Sequence, residues 1–469
     1  MSVQTTSEPK PHALQSETFR QHHPAPLKSR ALKIPAAVET RLANGLRIAI
    51  VQDARLPMVS FRLAFHGGDS NDPAELSGLS DMMAHLLTEG TAHRTSLQIA
   101  EEVERLGATL SVSSTSDFAT IGASSLAVYV DEILELIADV TLQPSFPQNE
   151  IDLARENTKQ MLIQQRAQPN FLASERVAKV MFGQHPYARI SPTPESLDAM
   201  TRDKFIDFHH KSFASDNAVL VIVGDVDPDE MAAKIERLFG RWTGVSITQP
   251  SFPAPPTGAA RILYVIDRPG SAQSNIVIAN AGITRTSSDY FPMLLMHTIL
   301  GANASSRLFM NLREEKGYTY GAYSSLDARR LAGTFRATAE VRTPVTGASL
   351  HEFFYELNRI RDDRVPDQEL QNAKSYLMGV FPIRIETQDG LIDQLTSVKM
   401  FDLPDDYLHT YRDSVNAVTA EDVQRVAQQH VTPDRAAIVI VGDAREIEDQ
   451  IKDYAETIER YDTEGNKKE

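Results

Sequence analysis

The pentapeptide Val-Ile-Val-Gly-Asp is written twice in this chain, at Val221–Asp225 and at Val439–Asp443, 218 positions apart (221 to 439). The text upstream keeps the same offset: MTRDKF around Thr201 lines up with VTAEDV around Thr419. Each copy carries the same local physics. A threonine placed as an N-cap, with an acid in the first turn, opens a helix. An apolar, β-branched run follows, AVLVIVG or AAIVIVG, with no polar alternation, so it reads as a strand central in a sheet. Gly-Asp ends that strand, and another helix begins, DPDEMAAKIERLFG in one copy and AREIEDQIKDYAETI in the other. Buried strands often end in Gly-Asp, so the pentapeptide alone is weak. The shared register of helix, strand and helix is what argues for two similar halves.

The seam between the halves is legible in composition. Residues 244–260, GVSITQPSFPAPPTGAA, carry four prolines and favour an extended surface linker. Residues 1–33 are rich in Pro, Ser, His and Gln and are expected to form a mobile tail. The expected organisation is therefore the tail 1–33, a first copy 34–243, the linker 244–260 and a second copy 261–469. Within each copy the pattern is strand, strand, helix, helix, strand, strand, several helices, then strand and helix. The opening strands are RIAIVQD and MVSFRLAFHGG in the first copy, RILYVID and NIVIANAGI in the second. Strict βαβ alternation is missing, which predicts an α+β fold: two homologous halves, each a mainly antiparallel sheet packed against helices.

Charge and cysteine content exclude several functions. With 47 Lys+Arg against 63 Asp+Glu the net charge is −16, which argues against a nucleic-acid or anionic-membrane surface. The absence of cysteine rules out disulfides, thiolate nucleophiles and Cys-ligated zinc. The N-terminus has no apolar run of the signal-peptide kind, and no transmembrane segment of 18 apolar residues occurs. Cytoplasm is the default expectation, with periplasm left open.

Two segments carry candidate chemistry. In the first, Glu75–Glu89, Leu76, Leu79, Met82, Met83 and Leu86 mark one helical stripe that stops at Gly90. Asp81 and His85, four apart, share a face of that helix and can both ligate zinc. A catalytic zinc needs three protein ligands, an open position for water and a nearby carboxylate base. Ala84 stands beside His85 where such a base would be, and a methyl group accepts no proton. His209-His210 is a poorer metal pair, since neighbours on a helix diverge; His22-His23 falls in the expected tail. In the second segment, Leu300–Ser325, a turn and a helix stop at Gly317 and a β-prone run follows. Arg313 near the helix end and Tyr320 at the strand start are both donors that could face one cavity. On composition alone, an ion pair between Arg313 and a neighbouring acid is the plainer reading.

The run GLSDMMAHLLTEGT (Gly78–Thr91) resembles the zinc helix of the insulinase/pitrilysin metallopeptidases, the family that includes mitochondrial processing peptidase. Zinc-carrying members have His-x-x-Glu-His within a Gly-Leu…Gly-Thr frame. Here the frame is kept, but the motif positions hold Asp81, Ala84 and His85. The family's remaining ligand is a Glu about 76 positions after the second His; that position is Met161, a poor zinc ligand. SSRLFMNLREEKGYTYG is similar to the family's signature of an Arg and a Tyr seven positions apart that contact bound substrate, matched by Arg313 and Tyr320. HPYAR (His185–Arg189) also fits, and the likeness runs from about residue 38 to 460.

The resemblance implies a chamber between facing halves. It further implies a chain that binds no cofactor itself and acts with a homologous zinc-binding partner carrying an intact His-x-x-Glu-His, orienting peptide substrate at that partner's zinc. A different implication is a catalytically silent assembly subunit, like the core proteins of respiratory complexes that resemble the family. A third is a self-sufficient hydrolase built on Asp81, His85 and a further ligand.

Overall fold

The computed structural model describes residues 32–243 and 251–468. Nearly all of the expected tail (1–31) and the first part of the expected linker (244–250) lie outside the described residues. Among the described residues thirteen strands form two sheets. In the first copy they are β1 (Val38–Arg41), β2 (Arg47–Gln52), β3 (Met58–His66), β4 (Thr109–Ser114), β5 (Phe118–Leu126) and β6 (Ala218–Gly224). In the second they are β7 (Ile262–Asp267), β8 (Gln273–Ala281), β9 (Thr319–Ala328), β10 (Gly333–Arg342), β11 (Ala437–Gly442), β12 (Thr457–Tyr461) and β13 (Lys467–Lys468). The spatial orders are β1-β2-β6-β3-β5-β4 and β13-β12-β7-β11-β8-β10-β9.

The repeated pentapeptides occupy equivalent places. β6 lies between β2, parallel to it, and β3, antiparallel; β11 lies the same way between β7 and β8. Most other pairings are antiparallel, as the α+β reading expects. Every residue of β6 and of β11 is buried. An antiparallel sheet can leave one face wet, so burial of both faces needs an explanation.

It comes from an exchange of helices. Alternate β6 side chains, Leu220 and Ile222, join the first copy's own core with Phe61, Leu63, Met83 and Ile137. The other face of β3 and β6 is covered by the helix Gln388–Met400, which belongs to the second copy. Ser60 Oγ donates to Asp389 (2.9 Å), Arg62 Nε to Asp393 (3.0 Å), and Gln388 Nε2 to the Asp53 carbonyl (3.0 Å). Reciprocally, the first copy's helix Pro169–Phe182 lies on β8 and β11. Its Leu172, Ala173 and Val177 pack with Tyr264, Val277, Val439, Val441 and Tyr461. Each fully buried side chain of the Leu or Val type contributes roughly 1.5–3 kcal/mol, so each sheet's outer layer depends on the opposite copy.

Local departures from the sequence reading have physical causes. Thr419 forms a full capping box with Asp422, whereas Thr201 accepts no side-chain capping bond. The helix expected over Glu75–Glu89 is split: a single 3-10 turn at Ala74–Leu76 precedes the helix proper, Leu79–Leu86, because Gly78 sits at φ +88 between them. The helix read into AREIEDQIKDYAETI ends at Ile451, and Thr457–Tyr461 pairs with β7 instead. Tyr461 stacks under the Arg176 guanidinium, 3.4 Å from the ring centroid, which gives that strand its anchor. No helix among the described residues is long and apolar enough to cross a membrane.

Candidate functional site

The entry to the helix Leu79–Leu86 is held by Asp72. Its carboxylate accepts from the Gly78 amide (2.8 Å), the Ser80 amide (3.0 Å) and Ser80 Oγ (2.6 Å). Burial pushes the Asp72 carboxyl up to about 7, against the pull of the Ser80 hydroxyl, and pushes nearby Asp69 up to about 6. On the helix itself Asp81 and His85 are exposed, while Ala84 is only 1% exposed, its methyl turned inward. Asp81 keeps solvent access, yet desolvation by the surrounding protein raises its carboxyl, with His85 pulling the other way. Met161, 52% exposed, stands on the helix Gln148–Arg166, which packs against Leu79–Leu86.

These residues do not fit a catalytic zinc. Asp81 and His85 are two donors, Ala84 supplies none and Met161 offers only a thioether. Among the described residues no group of three or more His, Cys, Asp or Glu side chains could hold a metal ion. His209 is spent structurally: its Nε2 donates to the Thr141 carbonyl (2.8 Å), and burial pushes it down to about 4, so it is neutral.

The second segment is built from irregular backbone. The helix that starts at Arg307 widens into a π turn over Met310–Glu315, the Lys316 amide reaching back five residues to the Asn311 carbonyl (3.0 Å). Gly317, at φ +64, closes it, the Tyr318 amide bonding to the Leu312 carbonyl (2.9 Å). Arg313 lies inside this turn, exposed, beside the Phe309 ring (4.9 Å to the centroid) and ion-paired with Glu314. An exposed pair of this kind is worth about 0–1 kcal/mol and is readily exchanged for another anion or carbonyl.

Tyr320 lies in a second irregularity. Thr319 pairs with Val341 and Ala322 with Ala339, so Tyr320 and Gly321 together oppose the single residue Glu340. That is a β-bulge, a device that re-aims a side chain. Thr319 Oγ1 fixes it, accepting from the Gly321 amide (3.1 Å) and donating to the Glu340 carbonyl (2.5 Å). Tyr320 is 91% exposed, β9 is the outer strand of its sheet, and Met310 and Tyr323 are exposed nearby in sequence.

The HPYAR segment has a different role. Tyr187 and the Arg330 amide both donate to the buried Asp117 carboxylate, the latter at 2.9 Å, and Arg329 lies over the Tyr187 ring (4.9 Å). The turn between β9 and β10 is thus moored to the first copy. Asp117 escaped the sequence reading, since a lone acid in a Ser-rich turn gives no signal. Asn311 escaped it too, although a single amide inside the apolar run LFMNL is a visible interruption.

A duplicated α+β scaffold of two similar halves, each a sheet packed against helices, is the architecture that the resemblance to the insulinase metallopeptidases implies. Comparison with known proteins bears this out. Residues 47–195 match the family model described as insulinase (peptidase family M16), and residues 199–377 match that of the peptidase M16 inactive domain. The chain belongs to the insulinase family. It is 24% identical over 418 residues to an uncharacterized zinc protease of Mycobacterium leprae, covering 88% of this chain and 93% of that protein. It is 22% identical over 407 residues to the non-peptidase homolog YmxG of Helicobacter pylori, covering 86% and 93%. A crystal structure of a peptidase M16 inactive domain from Pseudomonas fluorescens superposes with a TM-score of 0.81 at 26% identity, over 87% of this chain and 97% of that one. A protease structure from Helicobacter pylori shares the fold, with a TM-score of 0.82 at 18% identity over 87% and 100%.

Proposed function

We propose that this chain is a non-zinc subunit of a two-component peptidase, holding and orienting peptide for a homologous partner that carries zinc on an intact His-x-x-Glu-His. The carrying observation is the state of the Arg/Tyr pair. Both residues are exposed, and each is presented by a backbone irregularity, a π turn and a β-bulge, of the kind that clusters at functional sites. Met310, Arg313, Tyr320 and Tyr323 are also the residue types that carry binding energy at interfaces. The open edge of β9 adds main-chain donors and acceptors to which an extended peptide can pair.

Chemically, the guanidinium and the phenol donate to a peptide carbonyl. In water these bonds are weak. Once a partner covers the site and excludes water, the same donors stabilise the oxyanion of a tetrahedral intermediate. Removal of the Glu314 pairing costs little, so Arg313 can change partners on binding.

The test is to mix the purified chain with a zinc-carrying insulinase-family chain from the same genome and follow hydrolysis of fluorescein-labelled casein. Activity that neither chain shows alone, lost on chelation, is the expected result. A mixture no more active than the zinc chain by itself overturns the proposal and favours the silent assembly role, the reading closer to the non-peptidase naming of the Helicobacter pylori relative.

A further inference from the structure

The π turn that carries Arg313 is tied at both ends to one pair of carboxylates. Asn311, 5% exposed, directs its Nδ2 at Glu352 (3.0 Å) and at Glu356 (3.0 Å), which lie one turn apart on the helix Thr346–Asp362. Lys316 Nζ reaches the other oxygen of Glu352 (3.1 Å), and Arg359 approaches Glu356 (3.4 Å). Glu356 is 2% exposed, and Asn311 and Arg359 are its donors. Asn311 and Lys316 are also the two residues joined by the π-type backbone bond. The side chains on either side of that bond are therefore held by a single anionic platform, with Arg313 midway between them.

Asn311 spends both amide hydrogens on this platform and leaves its buried Oδ1 without a partner. An unpartnered buried acceptor costs free energy, so the arrangement favours the donors over full satisfaction of the amide. An α-helical register would remove the extra residue and turn Arg313 by about 100° relative to the residues before it.

We infer that Asn311 and Lys316, clamped on Glu352 and Glu356, are positioning residues that hold the π register and thereby aim Arg313. This rests on the peptide-holding role proposed above, so the test separates the two. The chain has no cysteine, so Arg313→Cys and Val128→Cys, the latter on the exposed surface of the first copy, give two clean sites for nitroxide labels in the full chain. Their distance distribution is measured by double electron–electron resonance with and without Asn311→Leu, and separately with Lys316→Met, a surface change that spares the core.

The clamp predicts a single narrow distribution that at least doubles in width in both variants; an unchanged width in both overturns it. A second arm reads binding of fluorescein-labelled casein by chains that retain Arg313. There Asn311→Leu and Lys316→Met should each weaken binding at least fivefold, and should add nothing once Arg313→Ala is present. If Arg313→Ala leaves casein binding intact while the widths still double, the peptide-holding role fails and the clamp stands. If Arg313→Ala weakens binding while the widths do not move, the clamp fails and the role stands.

Discussion

The two candidate sites are built to opposite specifications. The helix Leu79–Leu86 is regular, capped by a buried carboxylate, and packs Ala84 where a chemical group would stand. The Arg/Tyr segment breaks the regular ladder twice within about ten residues and leaves a tyrosine almost wholly in solvent. The first segment is regular helix whose inward side chains pack in the core. Irregular backbone of the second kind is the observation on which the proposed peptide-holding role rests.

That contrast can be broken at several points. In the reconstituted pair, Arg313→Ala and Tyr320→Phe should each lower turnover at least tenfold, toward the roughly 10²–10³ typical of losing one oxyanion donor. Asp81→Ala and His85→Ala should change it less than about twofold. Comparable losses at both sites, or loss only with a lowered melting temperature, would erase the distinction. Rebuilding the donor set with Asp81→His, Ala84→Glu and Met161→Glu asks whether the first site lacks only side chains. The metal-free triple variant should be less stable, because it buries a carboxylate at position 84. Elemental analysis should then find about one tightly held zinc per chain, with stability restored.

The buried cap gives a smaller, pH-dependent effect. The Asp72 carboxyl is raised in the folded state, so the fold binds its proton more tightly than the unfolded chain does. Its contribution to stability is therefore present at acid pH and is lost as pH rises from about 4 through about 7. Asp72→Asn keeps an acceptor for the helix amides and removes the titration. Its melting temperature relative to the parent should climb across that window and level off above it; a difference independent of pH would refute the assignment.

The smallest effect sharpens the comparison. Gly78 and Gly317 both have positive φ, and alanine at either should cost about 1–2 kcal/mol from the backbone. At Gly78 the added methyl would also press on Pro192 (2.8 Å), whereas at Gly317 it meets nothing within 4 Å. Only Gly317→Ala, between Arg313 and Tyr320, should also weaken casein binding.

Much of this is legible in the sequence. The 218-residue offset located both central strands, the lack of strict βαβ alternation gave the α+β class, and the resemblance of SSRLFMNLREEKGYTYG to the family signature singled out Arg313 and Tyr320. Hydrophobic periodicity reports that a face is apolar without reporting which sheet it meets. That is why the swap of Pro169–Phe182 and Gln388–Met400 had no signature. The short strands β1, β12 and β13, at or next to the sheet edges, carry too few apolar residues to register. The π turn and the bulge were equally invisible, since both are single-residue slips that coincide with bonds to residues distant in sequence, from Asn311 to Glu352 and from Thr319 to the Glu340 carbonyl.

The swap also sets a schedule for synthesis. The last strand of the first sheet, β6, is complete at residue 224, but the helix that shields that sheet's outer side ends at residue 400. At about 5–20 residues per second, a ribosome needs on the order of 10–35 s to make the intervening chain. During that interval a nascent sheet with apolar side chains on its uncovered side is exposed in the cell, a natural client for holding chaperones.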